Sequence, residues 1–511
     1  MKIIDNNTKI IKNTLLLYIR MALSMLISLY TVREVLYVLG VIDYGIFNVV
    51  GGIVIMFSFF GNTMATAAQR FFAYEIGKGN VYELKRVFSV TIAIYIFIIV
   101  VIFLLAESIG VWFLNSKMII PVNRISAANW VYQFSVLSFV VTVYSVPYNA
   151  LIIAYENMRA YAYISIFESL LRFVAVYSLT VFQYDKLKLY AVFLFFVNLF
   201  VMIAYVYICS NKYKECGFRL CYDKKLYKKI LNYSAWNLFG AVAAIFNNQG
   251  VNIILNIFFG PAINAARGIA FQVSSTVSQF VINFHTAVKA QIIILYAKGR
   301  ISDMMLLVFN SSKYSYFLLL IVSAPVLVET EYILKILLKN IPSDLVLFTR
   351  LVILNALVDS LTHSLQTAAQ ATGNIKIYQT VIGSVLLLNL PISYIMLLMG
   401  MHAEVTMYVS IFLSIVSVLL RLVLLKRILD ISIWRYIKGV IVSVLQVSII
   451  IFIILVTMSN YILCNYDKFF VVIFMTFVAP IVVYNYGLKR NERIYLKDML
   501  RNKIHNLSKS S

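Results

Sequence analysis

Apolar segments long enough to cross a bilayer follow one another from Asn13 to Tyr486, separated by connections of no more than roughly twenty residues. Inside lipid, only helices and closed barrels satisfy every backbone donor and acceptor. The apolar runs are continuous, whereas barrel strands alternate over stretches of about ten residues, so a barrel is excluded. Of the 511 residues 62% are apolar and 13% charged. Soluble proteins run nearer half apolar and about a quarter charged, so lipid is the solvent for much of this chain. The fold class expected is an all-α polytopic membrane protein of about fourteen transmembrane helices. They fall at Asn13–Leu39, Ile46–Ala68, Val87–Leu114, Trp130–Ala154, Ala160–Phe182, Leu189–Cys209, Ile230–Phe258, Ile269–Lys289, Leu306–Val328, Val346–Ala371, Ile377–Leu398, Val405–Leu425, Tyr436–Met458 and Phe469–Tyr486. The first stretch is too long for a signal-peptide core and lacks a small-residue cleavage site, so it is expected to stay as the first helix.

The net charge of +23 is distributed by topology. Lys2, Lys9 and Lys12 precede the first span, Arg70, Lys78, Lys85 and Arg86 follow the second, and seven Lys or Arg fill residues 211–229. Seven more lie beyond Tyr486, while residues 40–44 and 400–404 carry none. Basic short loops stay on the cytoplasmic side, so both termini are expected there, facing anionic lipid headgroups. This placement accounts for the charge without nucleic acid as a partner.

Displaced by 220 residues, the chain lays Gly40 on Gly260, Ser58 on Ser278, Phe60 on Phe280, Thr66-Ala67 on Thr286-Ala287 and Lys78-Gly79 on Lys298-Gly299. Displaced by 217, Asn157-Met158-Arg159-Ala160-Tyr161 matches Asn374-Ile375-Lys376-Ile377-Tyr378. Spans one to six therefore answer to seven to twelve in the same orientation, a parallel repeat. The organisation expected is an N-lobe at 1–210, a basic linker at 211–229, a C-lobe at 230–430, two appended helices at 431–487 and a basic tail at 488–511.

Charged and amide side chains inside spans are costly, a mid-membrane Arg or Lys by roughly 2.5–3.5 kcal/mol on insertion scales, and usually face a bundle interior. Helix one carries Arg20, Ser24, Ser28 and Thr31 on one face, with Arg33 and Glu34 near its outer end. Helix seven aligns Asn237, Asn248, Asn252 and Asn256, flanked by Asn247 and Gln249. Helix eight shows Gln272, Ser275, Gln279, Asn283, Thr286 and Lys289, with Arg267 at its opposite mouth. Helix ten shows Asn355, Asp359, His363, Gln366 and Gln370. Single amides of this kind commonly make interhelical bonds worth about 1 kcal/mol and nothing more. The stripes together point to a solvated path.

Glu168 and Arg172 are one turn apart and suit a local salt bridge. Asp359 and His363 have the same spacing, and fit either a plain hydrogen-bonded pair or an ion-coupling site, since His titrates near neutrality. Pro147, Pro325, Pro391 and Pro480 fall in or near spans and are expected to kink them, with Gly51-Gly52 as another loose point. Tyr18, Tyr30 and Trp236 are candidates for stacking on sugar rings.

No phosphate-binding glycine loop, nucleophile elbow, zinc-binding HExxH or carboxylate cluster is present. The cysteines Cys209, Cys216, Cys221 and Cys464 form no CxxC pair. No cofactor, no metal and no enzymatic activity are expected.

The opening helix with Arg20, the LGVIDYGIFNVVGG turn, the AQRFFAYEIGKGN loop and the ENMRAYAYI loop together resemble the O-antigen and capsule-type polysaccharide flippases of the multidrug/oligosaccharidyl-lipid/polysaccharide (MOP) exporter superfamily, over roughly residues 10–430. The resemblance implies two six-helix lobes in a V, as in MATE-like proteins, plus the two C-terminal helices. It also implies translocation of an undecaprenyl-pyrophosphate-linked oligosaccharide, an O-antigen or capsular repeat unit, from the inner to the outer leaflet, with polysaccharide polymerase machinery as a further partner. Relatives hold the pyrophosphate with arginines on helices one, two and eight. Here Arg20, Arg33, Arg267 and Lys289 answer as the cationic set, and helix two offers only Arg70 at its cytoplasmic end. Asn237, Asn248, Asn252, Gln272 and Gln279 suit sugar hydroxyls, and Asp359 with His363 suits ion coupling. Two readings stay open beside this one: a cation-coupled multidrug antiporter of the same superfamily, and a membrane glycosyltransferase or polysaccharide polymerase.

Overall fold

The computed structural model describes residues 13–25, 27, 31, 34–35, 37–40, 43, 46–47, 50, 58–117, 121–216, 223–259, 261–337, 344–461, 468–490 and 492–493. Among them there is no strand. Residues 13–25 form α1, followed by α2 (Ser58–Lys78), α3 (Val81–Leu105), α4 (Val111–Lys117), α5 (Ile125–Ala154), α6 (Met158–Val181), α7 (Lys186–Lys212), α8 (Lys224–Phe259), α9 (Pro261–Ala297) and α10 (Ile301–Val328). Then come α11 (Thr330–Leu337), α12 (Leu345–Ser360), α13 (Thr362–Thr372), α14 (Lys376–Leu387), α15 (Asn389–Leu398), α16 (Val405–Leu429), α17 (Ile433–Tyr436), α18 (Val442–Tyr461) and α19 (Lys468–Val482). Twelve stretches of these helices are long and apolar enough to cross a bilayer, and they coincide with the third to fourteenth spans expected from sequence. The first two expected spans run partly outside the described residues, and their described parts include α1 and α2.

Helix starts follow local chemistry. Asn80 accepts from the Glu83 amide at 3.1 Å to open α3, and Asp185 accepts from the Leu187 and Lys188 amides at 3.1 and 3.4 Å to open α7. The two turns of the repeat share their backbone geometry as well as their letters. Gly79 and Gly299 end their helices at φ of 72° and 71°, and Glu156 and Gly373 do so at 56° and 79°. The residue offsets are the 220 and 217 read from the sequence.

Three kinds of interruption shape the spans. Pro391 cannot donate to the Leu387 carbonyl, and the eleventh span divides there into α14 and α15. The tenth divides at Leu361 between α12 and α13, where the Leu361 amide donates to the Val358 carbonyl at 3.2 Å and the Leu361 carbonyl accepts from Ser312 at 3.2 Å. Pro147, Pro325 and Pro480 lie inside continuous helices. In the third span, Ala106–Gly110 form a π-helical turn between α3 and α4. The Tyr132 hydroxyl donates to the Ala106 carbonyl at 2.7 Å, and a Cβ on Gly110 would sit 1.9 Å from that hydroxyl. Five residues beyond Gly110, Asn115 exchanges side-chain hydrogen bonds of 3.2 and 3.0 Å with Asn129.

The chain forms two compact units. The first holds residues 1–242, 286–301 and 370–379, and the second holds 243–285, 302–369 and 380–511. In the first, Phe72, Phe88, Leu151 and Ile152 centre a core that also takes in Ile293, Ala371 and Ile375. Arg124 joins three connections there, bonding Asp43 and, at 2.9 Å, Asp185. In the second unit, Leu255, Ala270, Leu345 and Phe348 form the core of α8, α9 and α12.

Candidate functional site

The second unit brings together three of the residues expected to bind substrate. Arg267, on the first half of α9, is 3% exposed. Its guanidinium donates to the side-chain oxygens of Asn252 and, at 3.1 Å, Asn248, both on α8. The Asn252 amide in turn donates to Gln249 at 3.2 Å, and the Phe271 ring lies 4.4 Å from the guanidinium carbon. Steps of three and four along α8 put these amides on one face, which is why the stripe visible in the sequence becomes a wall. Nε of Arg267 is buried and makes no hydrogen bond. Among the described residues no carboxylate lies within ion-pairing distance of this cation, and its hydrogen-bond partners are amide oxygens that can rotate away. Gln272, further along α9, is exposed and Gln279 is half-buried.

A second polar group in this unit surrounds the break in the tenth span. Asp359 accepts from the Asn355 amide at 3.0 Å, and Ser414 donates to the Asn355 oxygen at 2.9 Å. His363 does not pair with Asp359. A single turn at Leu361 lies between them, and the His363 ring packs 5.5 Å from His285, which shares a 3.1 Å hydrogen bond with Thr367. Asn247 leaves the stripe as well, accepting from Asn389 at 2.7 Å in an interhelical tie.

The remaining expected residues belong to the first unit. Arg20 on α1 donates to the Tyr161 hydroxyl at 3.2 Å and the Ser165 hydroxyl at 3.4 Å, and lies over the Tyr161 ring. Ser169 bonds Ser24 at 3.1 Å, and the neighbouring Arg172 pairs with Glu168 at 2.9 Å as its spacing suggests. Lys289, on α9, has no carboxylate within ion-pairing distance among the described residues. Asn237 accepts from Gln379 at 3.1 Å and is thus used in packing. Trp236 has Lys376 over its ring at 5.4 Å and Phe239 against its edge. Arg33, Ser28, Tyr30 and Gly51-Gly52 lie outside the described residues, as does the Asn256 side chain.

Two buried cations did not stand out in the sequence. Arg70, counted there as a loop charge, is 3% exposed at the end of α2. It donates to the Ala371 carbonyl at 2.9 Å among the rings of Phe71, Tyr74 and Tyr233. Lys313, midway along α10, is 1% exposed and bonds both carboxylate oxygens of Glu492 at 2.9 and 2.8 Å. Neither hydrogen bond has a local signature, because each acceptor is more than a hundred residues away. Among the described residues no group of three His, Cys, Asp or Glu stands ready to hold a metal.

No protein-family model matches the chain, and no curated protein matches it in sequence. Solved structures do. A MATE protein carrying a proline-to-alanine substitution superposes with a TM-score of 0.73 at 11% identity, over 83% of this chain and 96% of its own. An outward-facing multidrug-resistance MATE transporter of the MOP superfamily gives 0.70 at 13%, again over 83% and 96%. A MOP-superfamily transporter from Pyrococcus furiosus, described as having a binding pocket of reversed polarity, gives 0.69 at 13% with the same coverage. Likeness at these identities establishes the fold: this is an all-helical, multi-pass membrane protein of MATE-like architecture.

Proposed function

We propose that this chain is a MOP-type transporter of the bacterial cytoplasmic membrane, with both termini inside, and that it flips an undecaprenyl-pyrophosphate-linked oligosaccharide between leaflets by alternating access. The observation that carries this reading is Arg267, a buried guanidinium held by Asn248 and Asn252 side chains and, among the described residues, by no carboxylate. A diphosphate offers it charge-assisted, bidentate acceptance stronger than that of a neutral amide, so the asparagines exchange for the ligand and then suit its sugar hydroxyls. In the first unit Arg20, which donates to the Tyr161 and Ser165 hydroxyls, and Lys289 are further cations within spans. The lipid tail stays in the bilayer while the head group crosses, so no aqueous channel wide enough for the whole substrate is needed.

A second reading, cation-coupled export of a small molecule, draws on Asp359, a carboxylate set among Asn355 and Ser414 inside a span. An intramembrane acid marks an ion or proton path in many transporters. Deleting the gene in its host separates the two. The flippase reading expects loss of surface polysaccharide and accumulation of lipid-linked repeat units in the inner leaflet, restored by the parent chain and not by R267A. Unchanged polysaccharide together with raised drug sensitivity would discard it in favour of the antiporter.

A further inference from the structure

The helix α10 stands between two parts of the second unit and is bonded to both through neighbouring residues. On one side, Ser311 donates to the Ser364 hydroxyl at 2.9 Å and Ser312 to the Leu361 carbonyl at 3.2 Å. These are contacts to the break in the tenth span, two residues beyond Asp359 and beside His363. On the other side, Tyr316 shares a 2.7 Å hydrogen bond with Ser448 of α18, and Phe309 packs edge-on to Tyr436 of α17. Phe317 lies so near the end of the last span that a Cβ on Gly487 would be 2.7 Å from its ring. Lys313 lies four residues before Phe317, hence on the same face, and its ammonium meets both oxygens of Glu492 from the segment that follows the last span. The same carboxylate accepts from the Lys489 amide at 2.7 Å, and the Tyr314 hydroxyl also reaches it. The side chain of Lys313 is 1% exposed and that of Glu492 is 17% exposed, so the tie lies under the protein surface on the lysine side.

A lysine inside a span is expensive unless a partner reaches it, and removing one member of a buried pair leaves the other charge uncompensated. At Leu361 the tenth span tightens to a single turn, its amide donating to the Val358 carbonyl at 3.2 Å, and α10 reaches this turn through Ser312, which donates to the Leu361 carbonyl. We propose that the segment after the last span is an intramolecular strap: Glu492 docked on Lys313 presses α10 against the break beside Asp359, and undocking it loosens that break. The strap regulates how readily the tenth span flexes.

Full-length protein in lipid nanodiscs tests this with two readings, trypsin cleavage after Lys489, Arg490 and Arg493, and deuterium uptake by peptides covering 355–366. Release of a docked segment raises local opening, so E492Q is expected to speed both by about tenfold. K313M/E492M removes both charges and keeps the thermal midpoint near that of the parent, while its tail cleavage and its uptake at 355–366 rise as in E492Q. The exchanged pair K313E/E492K returns both readings towards the parent. If E492Q leaves the tail as protected as in the parent, Glu492 is not the tie. If the tail is released in K313M/E492M and uptake at 355–366 stays at the parent rate, the strap and the break are independent; either result overturns the proposal. Global unfolding of E492Q shows as uptake across all helices, and the double variant then decides.

Discussion

Two arginines, Arg70 in the first unit and Arg267 in the second, are equally buried and opposite in character. They sit on α2 and α9, helices that the repeat makes equivalent, but towards opposite ends of them. Arg70 gives a hydrogen bond to a backbone carbonyl and fills a box of three aromatic faces, closed by Gly373 at a φ of 79°. A carbonyl in a helix end cannot swing away, so this cation is spent on structure. Arg267 gives its hydrogen bonds to side-chain amides, one of them on the exposed Asn248, while both arginines have a buried Nε without a hydrogen bond. What decides whether a buried cation is available to a ligand is the mobility of its partners, more than the depth of its burial.

The largest effect expected is on stability, from the Arg70 box. R70A strips the Ala371 carbonyl of a charged donor, at a cost of about 2–3 kcal/mol, read as a lower thermal midpoint in detergent. G373A should approach it: a Cβ there would lie 2.4 Å from the Arg70 guanidinium, in a backbone conformation that costs a side chain on the order of 1–3 kcal/mol. A midpoint for R70A equal to the parent's, with R267A the one that unfolds, would invert the comparison. R267A is expected to move the midpoint little and to lower transport about a hundredfold, with R267K in between because a point charge replaces a bidentate fork. Equal transport by all three would remove Arg267 from the site.

Smaller effects sharpen the picture. Y132F loses the hydrogen bond to the Ala106 carbonyl and should cost about 1 kcal/mol, without altering the handling of substrate. The smallest is on the surface. The Lys335 ammonium, hydrogen-bonded to Glu331, holds the Glu331 carboxyl below the usual carboxylate range. A depressed value in the folded state means that the tie adds stability above the ordinary carboxylate pKa and loses it as pH falls through the depressed value. E331Q should therefore differ from the parent only above the acid range, by a barely measurable shift in melts taken from pH 3 to 7.

The spans were legible because lipid demands a long apolar run for each, and third to fourteenth are where hydropathy puts them. The repeat was legible in glycines and loop residues, since a left-handed turn narrows the choice of residue, as at Gly79 and Gly299. The Arg267 wall was legible in part: Asn248 and Asn252 share a helical face, and the cation on α9 stood close in sequence. Asn237 lies on the same stripe but is spent on Gln379, a residue whose proximity no local pattern announces. Asp359 and His363 share a spacing of four, but the described hydrogen bonds take Asp359 to Asn355 while the His363 ring packs on His285, a neighbour that spacing along one helix does not announce. Arg70 and Lys313 were illegible for a related reason, their partners lying 301 and 179 residues away.

The wide turn at Ala106–Gly110 carries one residue more than an α-helical path needs, and everything beyond it is phased by that surplus. Deleting a single residue such as Ser108 would let the third span run on as ordinary α-helix and rotate α4 by about 100°. Leu114 would swing out of the core into lipid, and Asn115 would lose its reciprocal partner Asn129. This stretch should therefore accept many substitutions at its lipid-facing side chains and no change in its length.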